Sequence, residues 1–161
     1  MNNLLEKLSS YNIFNYLLPG IIFVVVAEKF THYSLIQQDI VVGIFFYYFV
    51  GLVISRFGSI IIEPFLRRVS YLNFADYKEF VAASHKDSKL DLLSEANNTY
   101  RTFCSLFALL LLLKLYDQIE SRFPALKDWS LTIVIIILLV IFLFSYRKQT
   151  QYIMKRVKEI E

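Results

Sequence analysis

Residues 131–144 read LTIVIIILLVIFLF, fourteen in succession with one hydroxyl and no charge. A helix built from them has no polar face to turn toward water. With Trp129, Ser130, Ser145 and Tyr146 at its edges the stretch approaches the roughly 20 residues that cross a hydrocarbon core of about 30 Å. Three further blocks behave alike: IIFVVVA from residue 21, IVVGIFFYYFVGLVI from residue 40 and LFALLLLL from residue 106. Barrel strands alternate apolar and polar residues, and these blocks do not, so spanning helices are the expectation. The predicted class is an all-α integral membrane protein forming a single domain, with spans of about 11–27, 40–62, 102–116 and 129–146. Residues 64–101 and 147–161 are expected to make a small helical layer outside the lipid. The apolar region starts late and no small-residue cleavage site follows it, so the chain reads as lacking a secretory signal peptide.

Lysine and arginine set the expected orientation. Lys7, Arg67, Arg68, Lys78, Lys86, Lys89, Arg101, Arg147, Lys148, Lys155, Arg156 and Lys158 fall on the side of the termini, against Lys29, Arg122 and Lys127 on the other. The positive-inside rule then places both termini and the middle connection in the cytoplasm. Trp129 and Tyr146 sit where interfacial aromatic anchors belong. The single Cys104 cannot form an internal disulfide, and it is expected to be a packing residue.

Outside the spans the loops EKFTHYSLIQQD and DQIESRFPALKDW are too short for an external domain. In the middle connection Phe74, Tyr77 and Val81 recur at helical spacing, as do Leu90, Leu93 and Asn97. Pro64 is expected to end or kink the second span. Ser88 followed by Asp91 resembles a capping box, from which a helix would run unbroken into the third span. The C-terminal RKQTQYIMKRVKEIE continues as a basic helix diluted by Glu159 and Glu161.

Catalytic patterns are missing from the sequence. There is no phosphate-binding glycine loop, no Cys/His set with metal spacing and no Gly-x-Ser-x-Gly elbow. His32 and His85 are the two histidines, both expected in solvated loops. The chain therefore reads as non-enzymatic, with no catalytic residue, no metal and no cofactor. Its informative polar residues lie within or beside the spans. Gly43, Tyr47, Gly51, Ser55 and Ser59 recur every four residues, a small-residue stripe suited to close helix packing, within one bundle or between copies. Arg56 and Glu63 share a face near the inner end of span two. Arg56 either snorkels to the headgroups or joins a boundary network in which Glu63 pairs with Arg101 and Asn98 contributes. Asn12, Asn15 and Pro19 mark a hinge whose polar groups face protein. Lys114 lies about 20 Å into the membrane from Arg101, with Asp117 placed to pair at i+3. Phe107, Leu110, Lys114, Asp117 and Ser121 share one face. That face either ends a span or, in a ring of copies, lines a pore with charged rings.

Four short spans, YLLPG in the first of them, cytoplasmic ends and a compact helical cytoplasmic layer resemble the small membrane components of bacterial anti-phage defence systems. Examples are the four-span subunit of Kiwa-type systems and the CRISPR-associated membrane pores. An Arg followed four to six residues later by His, found in nuclease-derived members, does not occur here, and no functional residue carries over. The resemblance implies a homo-oligomeric component of a bacterial inner membrane serving defence or stress. It would act as a sensor or anchor for a soluble cytoplasmic partner, or as a pore-forming effector that depolarises the membrane. The alternative is a small-molecule or ion transporter subunit, against which the sequence offers no inverted repeat. The bilayer is the expected partner of the apolar blocks, and the basic tail does not call for nucleic acid.

Overall fold

The computed structural model describes residues 12–158, and within them it is all-helical. Lys7, Tyr11, Glu159, Ile160 and Glu161 lie outside the described residues. Four helices are long and apolar enough to cross a membrane: α1 (Ile13–Phe30), α2 (Ile40–Arg68), α4 (Lys89–Arg122) and α5 (Ala125–Lys158). A short α3 (Tyr77–Ser84) lies in the middle connection. The two tight connections, residues 31–39 and 123–124, share one end of the bundle, the hairpin end. Helix α3 and the tip of α5 mark the opposite end.

The helices overrun the predicted spans because no residue stops them there. At 1.5 Å per residue α4 and α5, of 34 residues each, are about 51 Å long. Helix α5 passes Tyr146 without a break, so the basic tail as far as Lys158 forms its final turns. Helix α4 starts at Lys89, where Asp87 Oδ1 accepts from the Lys89 amide at 2.9 Å. Ser88 makes no side-chain cap, so the capping-box reading is replaced by an aspartate one residue earlier.

Both span prolines are absorbed. Wide π turns cover Ile13–Leu17 and Gly58–Ile62, each just before Pro19 or Pro64. Leu18 and Glu63, the residues before the prolines, donate to the carbonyls five back, of Ile13 and Gly58. Widening the turn relieves the clash of the proline ring with the carbonyl four back. Pro64 therefore does not end α2. It ends four residues on, at Arg68, and just beyond that end Ser70 takes a left-handed φ of 59° and the Tyr71 amide returns to the Leu66 carbonyl.

Helices α1, α2 and α4 form the core. Ala27, Ile54, Leu106 and Leu110 are its buried centre. The α1–α2 crossing is set by glycine. A Cβ on Gly51 would overlap the backbone of Tyr16, and one on Gly20 the Tyr47 carbonyl, so the two backbones touch. Helix α5 is peripheral: 6% of its apolar window is buried, against 28% in each of the other three helices. Ile141 and the stacking of Phe142 on Phe49, 6.1 Å between centroids, attach its middle. Leu131, Ile135 and Leu139 are among the many large apolar side chains it leaves more than half exposed.

Candidate functional site

Polar side chains gather at the two ends of the bundle, joined by the apolar middle. At the hairpin end Asp117, 2% exposed, is the hub. Its Oδ2 accepts from Lys114 Nζ at 3.1 Å, and its Oδ1 accepts from the His32 amide at 3.2 Å and lies 2.9 Å from His32 Nδ1. The sequence paired Asp117 with Lys114 and left His32 in solvent. The imidazole is indeed largely exposed, yet its inner nitrogen reaches the carboxylate. No spacing rule connects residues 32 and 117, so this contact had no signal in the sequence. Lys114 Nζ also sits 5.5 Å from the centre of the Phe30 ring, which takes a cation on its face.

The same end holds Glu120, which accepts from the Tyr33 hydroxyl at 2.6 Å and from Ser130 Oγ of α5 at 2.5 Å. Burial, and then the Glu120 carboxylate, push the Tyr33 hydroxyl above the ordinary tyrosine range. Glu28 fastens the 31–39 connection by accepting from the amides of Leu35 and Ile36 and from Ser34 Oγ. Ser121 Oγ donates to the Asp117 carbonyl of its own helix, and Phe107 is 58% exposed on the bundle surface. The predicted Lys114 face is therefore split. Asp117 and Leu110 are buried within one chain, while Phe107 and the lysine stem border the outside.

We expect Asp117→Asn to loosen the hairpin end selectively. The uncharged amide holds Lys114 and the His32 amide less firmly, so deuterium exchange over residues 31–36 should accelerate while the Gly51 region stays protected. Unchanged exchange in the connection would count against Asp117 as its clamp.

At the opposite end Glu63 is shared. Arg101 Nη1 donates to it at 2.6 Å, and Lys148 Nζ of α5 donates at 3.3 Å. Lys148 also donates to the carbonyl and to the hydroxyl of Ser59, both at 2.7 Å. The sequence counted Lys148 only among the basic residues on the side of the termini. The π turn before Pro64 leaves the Ser59 carbonyl to accept it. Arg56 makes no ion pair with Glu63; its Nη2 lies 3.5 Å from the Tyr16 hydroxyl. Asn98 contributes its backbone carbonyl, which accepts from Thr102 Oγ1 at 2.9 Å.

Beneath this boundary layer Asn15, Ser55 and Thr102, each 3% exposed or less, meet from α1, α2 and α4. Thr102 Oγ1 lies 2.8 Å from Asn15 Oδ1 and 3.3 Å from Ser55 Oγ, and Asn15 Nδ2 lies 3.4 Å from Ser55 Oγ. The small-residue stripe thus faces inward through Gly51, Ser55 and Ser59. Gly43, at its start, meets the Tyr47 ring and Gln37 rather than another helix. Cys104, expected to pack, is exposed on the outside of α4. Asn12 is half-buried and His85 exposed.

Among the described residues no group of three or more His, Cys, Asp or Glu is placed to hold a metal. The apolar groove between Val26, Phe30, Phe107 and Leu111 is shallow and open. Comparison with protein-family models, curated proteins and solved structures finds no match.

Proposed function

We propose that the chain is a multi-pass protein of a bacterial inner membrane, with both termini and α3 in the cytoplasm, serving a defence or stress system without catalysing a reaction. Its role is that of a homo-oligomeric sensor or anchor that holds a soluble cytoplasmic partner at the membrane. The exposed apolar surface of α5 carries the membrane part of this reading. More than half of each of Leu131, Ile135, Leu139 and Leu143 is open around a helix with no charge between Trp129 and Tyr146. In water such a surface drives aggregation; in lipid it is solvated. Anchoring is favoured over conduction because Asp117 is satisfied inside a single chain. Lys114 and His32 hold it, so it offers no free charge to a lumen. The pore-forming effector is the second reading, supported by Phe107 and the Lys114 stem bordering the bundle surface.

Native mass spectrometry of the detergent-purified protein separates the two. An oligomer that retains a stoichiometric soluble protein supports the anchor. A closed ring that retains nothing, and whose conductance in planar bilayers changes at least several-fold in Lys114→Ala, replaces it with the pore. A monomer with no retained protein overturns both.

A further inference from the structure

Around Glu63, at the end of the bundle that carries α3, cations outnumber the carboxylate that pairs with them. Arg101 and Lys148 share Glu63. Arg56 stands two turns along the same face of α2, about 10 Å away by helical rise. Lys148 is directed inward, onto Ser59 and Glu63. The two guanidiniums are not satisfied in this way. Arg101 uses Nη1 on Glu63, while its Nε is buried with no hydrogen-bond partner. Among the described residues Arg56 makes one hydrogen bond, the 3.5 Å contact to a neutral hydroxyl.

A buried guanidinium N–H without an acceptor is costly, so Arg101 Nε has an unused donor and calls for an acceptor oxygen. The planar fork of arginine matches phosphate, and basic pockets between helices at the cytoplasmic face are where anionic headgroups bind. We propose that Arg56 and Arg101, with Lys148 behind them, form a phosphate site for the headgroup of an anionic phospholipid. The site rests on the membrane reading above, and it goes beyond it by naming a ligand. It would also link three helices, since the arginines belong to α2 and α4 and the lysine to the loosely packed α5.

The test uses the full chain in neutral detergent, with phosphatidylglycerol, phosphatidylcholine or inorganic phosphate added and bound species counted by native mass spectrometry. Phosphatidylglycerol should be retained at about tenfold lower concentration than phosphatidylcholine, as expected for a charge-assisted contact. Arg56→Gln removes a cation that, among the described residues, no carboxylate holds, so the chain should fold and the preference should fall to near parity. Arg101→Lys keeps the charge on Glu63 but loses the fork, and it should weaken retention as well. Displacement of phosphatidylglycerol by millimolar inorganic phosphate would keep the phosphate site and overturn the lipid as its source. Equal retention of the two lipids, or a preference unchanged in both variants, overturns the site. Alkaline carbonate extraction of the native membranes tests the foundation separately. A chain released by carbonate overturns the membrane reading, whereas a resistant chain with no headgroup preference overturns the phosphate site alone.

Discussion

Gly51→Ala should destabilise the protein by about 2–3 kcal/mol, a large effect for one methyl group, because overpacking is worst where the obstacle cannot rotate away. The atoms in its path are the carbonyl and Cα of Tyr16, which belong to the backbone of α1. Helices α1 and α2 must separate, and the hydrogen bonds among Asn15, Ser55 and Thr102 one turn further along lengthen with them. Gly43→Ala is the matched control. Its new Cβ meets the Tyr47 ring at 3.3 Å and the Gln37 side chain at 3.5 Å, groups that can shift. The gain in helix propensity offsets that adjustment, so its stability should stay within about 1 kcal/mol of the parent. Thermal unfolding of both variants in the same detergent decides the matter. Equal losses at the two positions would mean that the α1–α2 contact is not where the structure places it.

The second large effect belongs to Glu63→Gln. The carboxylate is 15% exposed, and Arg101 and Lys148 approach it from different helices. Neutralising it leaves two cations facing each other across a partly buried boundary, with Arg56 adding to the repulsion. Breaking a fully buried pair costs about 3–5 kcal/mol, and partial exposure brings the expected loss to about 2–3 kcal/mol. Adding Lys148→Met to Glu63→Gln should recover roughly half of that, since it removes one unpaired charge. A double variant no better than the single one would show that the lysine is held by Ser59 rather than by Glu63. The loss should also shrink as salt is raised, because the repulsion sits near solvent.

Much of the fold was legible in the sequence, and for one physical reason. Uncharged apolar runs are local, and chain length converts directly into helix length, so four long helices followed from residues 131–144 and their three counterparts. The pairing of Lys114 with Asp117 was legible too, because i and i+3 on a helix must lie side by side. Helix ends were less so. Ser88 looked like a cap but yielded to Asp87, and Pro64, expected to end or kink its helix, does not end it because a π turn carries it. In both cases the local signal admitted two outcomes.

The contacts that cross between helices were beyond the sequence. Nothing in a composition or a spacing brings residue 32 to residue 117, or residue 148 to residue 59, because those distances depend on how α1, α2, α4 and α5 lean on one another. Cys104 illustrates the same limit. Whether one side of α4 meets protein or the surroundings is settled by which stripe the glycines of α1 and α2 leave room for, and that stripe carries Leu106 and Leu110 instead. The sequence by itself determined the helices and the kinds of polar residue at their ends. Only the tertiary structure decided which of those residues meet, since a helix fixes the spacing of its own side chains but not the identity of those opposite.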